Sequence, residues 1–248
     1  VILNGIDDVE AIGRLLEKRL IPAMREPHQV AGSELYVSCS VGVAVYPDHG
    51  DDLDTLMRHA DAAMYQAKSG GRDNARMFSP QLQDQQLQQL HLESDLRHAI
   101  DRQQLVLHYQ PRIDAISGLL HGVEGLIRWN HPQRGLIAPD SFIPVAEESG
   151  LIVPIGAWVI REACRQHIAW RDADVGAIAV SINLSAVQLK NGALVATLRE
   201  VLAEFPVAPG QIEFELTEST LMENVDDTIA TLQQIKALGF GLSIDDFG

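Results

Sequence analysis

The sequence predicts an α/β fold in which strands alternate with helices, as in a (β/α) barrel or a doubly wound sheet. Two observations carry this. From Leu105 onward, short apolar runs are separated by stretches of helical periodicity, the pattern of a mostly parallel sheet covered by helices. Several of those runs also end on, or lead into, a hard oxygen-bearing side chain: Glu124, Asn183, Glu215 and the adjacent pair Asp245-Asp246. Strands that each deliver one ligand near a C-terminal end are how a (β/α) barrel assembles a site.

The elements follow in order. Ile12, Leu15, Leu16 and Leu20 recur at helical spacing and predict a helix over 7–24. A strand is expected over 36–45, then the turn Tyr46-Pro-Asp-His-Gly50, then a helix over 53–68 broken by Gly70-Gly71. Residues 1–79 offer too few strands to close a core and read as a partial α/β domain. The Gln-rich stretch 81–90 has no Pro or Gly and predicts a helical linker over 80–92 that continues through Leu92, Leu96 and Ile100, either a solvated connector or a signal-transmitting coiled coil. Beyond it, strands are predicted over 105–109, 123–127, 178–184, 212–216 and 241–244. Helices are predicted over 140–148, 155–170, 186–204 and 225–238. Ser185 with Gln188 forms a capping-box pattern. The chain opens in mid-element and stops in its fifth such strand, so a piece of a longer protein, with an unfinished barrel or sheet over 93–248, is expected.

Composition narrows the function classes. With a net charge of −15, non-specific binding to a nucleic-acid polymer is disfavoured. The apolar fraction of 46% and charged fraction of 21% are ordinary for a soluble domain. No stretch reaches the length of a membrane span, and no N-terminal signal is present. Cys39 and Cys164 give no disulfide framework, which fits a reducing cytoplasm; Cys164 shares an apolar helix face with Ile160 and Ile168. The parent is therefore expected to be cytoplasmic, unless a segment outside this sequence anchors it.

Glu124, Asn183, Glu215, Asp245 and Asp246 are all oxygen donors, a set that suits Mg²⁺ or Mn²⁺ over zinc or copper. Five donors with an aspartate pair can hold two metals for hydrolysis of a phosphate ester. Arg128, four residues beyond Glu124 on what reads as the outgoing loop, either grips a phosphate or pairs with a surface acid. Glu218 is either an acid at a helix start or a residue that orders a loop near the metals. His131 and His167 lack partners at metal-ligand spacing and read as structural.

The motifs Tyr109-Gln-Pro111, Glu124-Gly-Leu126, Arg128-Trp129, Phe142-Ile-Pro-Val-Ala-Glu147, Ser181-Ile-Asn-Leu-Ser185, Glu215-Leu-Thr-Glu218 and Asp245-Asp-Phe-Gly248 occur in that order. Together they resemble the EAL-domain cyclic di-GMP phosphodiesterases, with Gly125 replacing the alanine of the signature. Residues 1–79 resemble the C-terminal half of a GGDEF diguanylate cyclase domain, on Ile6-Asp-Asp-Val-Glu10, Tyr36-Val-Ser-Cys-Ser-Val-Gly-Val43, Tyr46-Pro47, and His59 to Lys68 through Gly71-Arg72.

The resemblance implies a TIM-like (β/α)8 barrel, here cut after about its fifth strand. It implies hydrolysis of one phosphodiester of cyclic di-GMP to the linear dinucleotide, with Glu124, Asp245 and Asp246 catalytic and the five donors holding two Mg²⁺ or Mn²⁺ ions. Gln110 and Arg128 are implied to bind substrate, Glu218 to order the loop, and Lys68 and Arg72 to contact nucleotide phosphates, those of GTP among them. A homodimer through the EAL domain is also implied. The family's lysine, general-base glutamate and glutamine would lie downstream, so this piece alone is expected to be inactive. The rivals are a receptor that binds the dinucleotide without cleaving it, and a scaffold whose output is a protein contact.

Overall fold

In a computed structural model of the chain, the residues described are 2, 9–30, 32–71, 73–217 and 225–245. Arg72, Glu218 and Asp246 lie outside them. The chain divides into two compact units, Val1–His91 and Leu92–Gly248.

In the first unit, helix α1 (Val9–Leu15) runs through a π-helical turn, Leu16–Leu20, into α2 (Ile21–Arg25). A short hairpin pairs β1 (His28–Val30) with β2 (Ser33–Leu35). The strand predicted over 36–45 is confined to β3 (Val41–Val43), so Cys39 lies outside it. β3 pairs in parallel with β4 (Ala75–Met77) beneath α3 (Leu53–Ser69). Asp52 caps α3 by accepting from the Thr55 N–H at 2.8 Å, which satisfies one of the orphan donors of a helix start. A Cβ on Gly42 would stand 2.0 Å from the Ala60 carbonyl oxygen, so only glycine lets α3 lie this close to the strand. Ala62, Ala63 and Phe78 form the small core, with the His59 ring stacked on Phe78 at 3.8 Å. Lys68, in the last turn of α3, is exposed.

Helix α4 (Pro80–Leu96) spans the Gln-rich stretch and ends before Ile100, short of the predicted extension. In the second unit, β5 (Leu105–Ile113), β6 (Leu120–His131), β8 (Val180–Asn183), β9 (Ile212–Thr217) and β10 (Gly241–Asp245) form one sheet in the order β10-β9-β8-β6-β5, with the short β7 (Gly135–Ile137) also on β6. From β6 to β10 the neighbours run parallel, joined by α5 (Pro139–Ser149) and α6 (Ile152–Asp172), by α7 (Ala186–Lys190) and α8 (Leu194–Glu204), and by α9 (Val225–Ala237). This is the wall of a TIM-like barrel, as predicted.

One strand direction that the sequence left open is antiparallel, and one expected helix is corrected. β5 is antiparallel to β6, because the connection between them is a tight turn too short for a helical crossover. Asp114 Oδ1 closes that turn by accepting from the Ser117 N–H at 2.7 Å. The helix predicted over 186–204 is two helices. Asn191 interrupts it by accepting from the Ala193 N–H at 3.1 Å, an alternative to continuing the helical ladder.

The apolar alternates of the strands face the helices. Val180, Ile182, Ile212, Phe214 and Leu216 pack on Ile160 and Cys164 of α6, Leu198 and Val201 of α8, and Ile235 of α9. Cys164 is a core residue, as predicted, and burial pushes its thiol up to about 12. A second cluster gathers Leu96, Trp129, Phe142 and Ile155. Both histidines act structurally. His131 Nδ1 accepts from the Gln133 and Arg134 N–H groups, each at 3.2 Å, which leaves Nε2 to donate to Asp95 at 3.2 Å. His167 Nδ1 donates to the Ile178 carbonyl at 2.8 Å. No described helix is long and apolar enough to cross a membrane.

Candidate active site

The apolar side of the sheet leaves the opposite side for polar groups, and strand register decides which of them meet. Glu124 lies beside Ser181, Asn183 beside Glu215, Ser243 beside Glu215, and Asp245 beside Thr217. Residues in register, and residues two apart, point to the same face of a sheet. Glu124, Ser181, Asn183, Glu215, Ser243 and Asp245 therefore share the face turned away from the helices. Gln110 lies opposite Glu124 on β5 and shares it too.

The structure brings four of the predicted donors onto one face, though not all at strand ends. Asn183 and Asp245 end β8 and β10, Glu215 stands two residues before the end of β9, and Glu124 sits inside β6. β6 is long because it pairs with β5 from Leu120 to Trp129 and with β7 from Trp129 to His131, so its ligand lies well back from its terminus. Arg128 is likewise on β6 and not on an outgoing loop. It stands on Glu124's face by alternation, and its guanidinium donates to the Ile127 carbonyl at 2.8 Å.

Asn183 Nδ2 donates to Glu124 Oε1 at 2.9 Å, which ties β8 to β6 across the face. Arg112, a residue the sequence reading did not single out, reaches from β5. Its Nη1 donates to Ser181 Oγ at 2.6 Å and to Glu215 Oε1. The signal was in the chain: Arg112 stands two residues after Gln110, so it shares that residue's face.

Glu215 is buried at 6% exposure, whereas the Arg112 side chain is 41% exposed. Burial pushes the Glu215 carboxyl above the usual carboxylate range, and the nearby Glu124 charge pushes it further; Arg112 and Ser181 pull it back, and Asp245 adds to the rise. A raised carboxyl destabilises the fold when ionised. In the absence of a cation, this destabilisation is relieved as pH falls through the raised pKa. Among the described residues, no three of His, Cys, Asp and Glu converge as a metal-holding group. Glu124, Asn183, Glu215 and Asp245 nevertheless offer oxygen donors on one face, which fits a hard divalent cation in kind.

At Asn183 and Glu215 opens a cleft of about 680 Å³ that also runs between the sheet and its helices, lined by Leu126, Ile143, Asn183, Glu215 and Thr217 and by the helix-facing Ile182 and Phe214. That is within the range of small-molecule sites, roughly 300–1,000 Å³. Its wall is buttressed where β8 passes into α7. Ser185 caps α7 by accepting from the Val187 N–H at 3.2 Å and donates to Glu147 Oε1 at 2.5 Å. Gln188 Oε1 accepts from the Ser185 N–H at 3.1 Å, completing the predicted capping box.

Gly156 of α6 makes room for that glutamine, since a Cβ there would stand 1.9 Å from Gln188 Nε2. Gly156→Ala is expected to lower stability by about 1–3 kcal/mol through overpacking and loss of the cap. The double variant Gly156→Ala/Gln188→Ala should lose less than the sum of the two singles. Denaturant unfolding of the three variants checks this, and a change under about 0.5 kcal/mol for Gly156→Ala would show that the close approach is not needed.

The EAL domain model matches residues 93–248, and the model described as diguanylate cyclase, GGDEF domain, matches residues 1–74. The chain is 44% identical over 233 residues to the bifunctional diguanylate cyclase/cyclic di-GMP phosphodiesterase MucR of Pseudomonas aeruginosa, covering 94% of this chain and 34% of MucR. It is 43% identical over 233 residues to the cyclic di-GMP phosphodiesterase PdeR of Escherichia coli, covering 94% and 35%. The chain thus spans about a third of the length of these relatives. Among solved structures, the MucR phosphodiesterase in complex with c-di-GMP superposes with a TM-score of 0.61 at 48% identity, over 64% of each chain. The EAL enzyme Bd1971, in its cAMP- and cyclic-di-GMP-bound form, gives 0.61 at 27% identity, over 81% of this chain and 53% of that one. The chain belongs to the EAL-domain family, with GGDEF-domain sequence ahead of the EAL part.

Proposed function

We propose that the native protein carrying this chain hydrolyses one phosphodiester of cyclic di-GMP to the linear dinucleotide, at the polar face of its EAL part. The observation that carries this reading is that Glu124, Asn183, Glu215 and Asp245 share one sheet face, with Asn183 and Glu215 also lining the cleft. The likeness to MucR and PdeR, whose names state that activity, supports it.

These four residues, with Asp246, would hold Mg²⁺ or Mn²⁺, one ion or two. Such ions supply Lewis-acid chemistry at phosphate oxygen when bound. The chain's own side chains do the rest. Arg128 grips a substrate phosphate, and Gln110, opposite Glu124, orients the substrate beside the carboxylates. Glu218 is assigned the family's loop-ordering role. The apolar wall of Leu126 and Ile143 excludes water from the bound nucleotide. In the first unit, Lys68 and Arg72 are assigned to nucleotide phosphates, GTP among them. A homodimer through the EAL part and a cytoplasmic setting belong to the same reading; the two free thiols, Cys39 and Cys164, support the latter.

The test is product analysis with purified native protein, cyclic di-GMP and Mg²⁺ or Mn²⁺, with and without excess chelator. Linear dinucleotide that disappears with chelator is the expected result. Tight binding without product would favour a receptor, and undiminished turnover in chelator would remove the metals from the account. Arg128→Ala is expected to raise KM by about 10–100-fold, the scale of a lost hydrogen bond to a charged group. An unchanged KM would leave Arg128 as a strand residue tied to its own backbone.

A further inference from the structure

Arg112 places a fixed positive charge against a buried carboxylate whose charged neighbours are otherwise Glu124 and Asp245. Its guanidinium bonds Glu215 and, at 2.6 Å, the hydroxyl of buried Ser181. Glu124 and Asp245 share the same face, and their charges press on Glu215. The cross-strand partner of Arg112 is Gly122, which brings no side chain of its own. At 41% exposure, its side chain has solvent to withdraw into, while Glu215, at 7% for its side chain, has none. A guanidinium cannot lose its proton in this setting, so its charge is permanent. A buried carboxylate left without a partner is strongly disfavoured.

We propose that Arg112 is a built-in counter-cation of the acidic cluster: it holds Glu215 while no divalent ion is present, and an incoming ion displaces it from that carboxylate. This rests on the reading of the cluster as a divalent-cation site. Cation affinity is then the outcome of a competition within the protein. Arg112 lowers that affinity by occupying one ligand and by repelling the ion, and in return it keeps the metal-free sheet face from flying apart under like charge. The exchange is local, since the guanidinium keeps Ser181 or turns to water while Glu215 stays in place.

The experiment is a Mn²⁺ titration of the native protein, followed calorimetrically, with thermal unfolding in chelator and at saturating Mn²⁺, for wild type, Arg112→Met and Arg112→Lys. Arg112→Met keeps the length and removes the charge. It is expected to bind Mn²⁺ about tenfold more tightly, a change of roughly 1.4 kcal/mol. It should melt lower than wild type in chelator and regain the wild-type melting temperature with Mn²⁺. Arg112→Lys, which keeps the charge but loses the reach and the fork, should fall between the two, and it decides the matter if Arg112→Met does not fold. Equal or weaker Mn²⁺ binding in the variants overturns the counter-cation while leaving the cation site standing. Absence of Mn²⁺ binding in wild type and variants alike overturns both.

Discussion

Glu124→Gln in the native protein is expected to lower the rate of cyclic di-GMP hydrolysis by at least about 100-fold. The loss corresponds to roughly 3 kcal/mol of transition-state stabilisation, the scale on which single electrostatic contributors act in enzyme sites. The substitution deletes a charge at nearly constant shape. The glutamine carbonyl still accepts from Asn183 Nδ2, so the tie between β6 and β8 survives. The Glu124 charge raises the Glu215 carboxyl, so removing it relieves repulsion, and the variant should fold at least as stably as wild type in chelator. Steady-state kinetics and a thermal melt check the two halves together. Turnover within about threefold of wild type would remove Glu124 from the chemistry, whereas lost activity with a lost fold would leave its role unassigned to catalysis.

Trp129→Ala carries the largest expected effect on stability. Trp129 is fully buried between Phe142 and His131, edge-on to both rings at 5.7 and 5.1 Å, and its indole N–H donates to Gln104 Oε1 at 3.1 Å. Truncation leaves a large cavity and a glutamine without its donor. The cost should be about 3–5 kcal/mol, or on the order of 10 °C in melting temperature for a domain of this size. Trp129→Phe, which keeps much of the volume, should lose less. The neighbouring Arg128 makes the contrast useful: Arg128→Ala is expected to change KM with the fold intact, and Trp129→Ala the reverse. Denaturant unfolding of the EAL part reads the difference, and a Trp129→Ala loss under about 1 kcal/mol would mean this cluster is not a principal core.

Much of this arrangement was legible in the chain because it rests on local rules. The alternation Ile212-Glu-Phe-Glu-Leu-Thr separates a helix-facing side from a polar side, and the structure follows it residue for residue. The Ser185–Gln188 capping box is likewise a spacing rule that came through intact. What the sequence left open or misplaced was decided by pairing. An apolar run such as 105–109 carries no mark of direction. The mark lay in the Asp114–Ser117 turn, which closes a hairpin and leaves no length for a crossover. Glu124 was expected near a strand end because the run around it looked short. Pairing with β5 on one side and β7 on the other extends β6 in both directions. Arg112 was passed over because its partner, Glu215, lies 103 residues away, and only the register of the sheet brings the two together.

The central claim, that one sheet face of the EAL part is built to hold a hard divalent cation, is tested most directly by anomalous scattering from crystals of the native protein grown with Mn²⁺. The account predicts a manganese peak in contact with oxygens of Glu124, Asn183, Glu215 and Asp245, with the Arg112 guanidinium no longer on Glu215. Manganese bound elsewhere while Arg112 still holds Glu215 would contradict it.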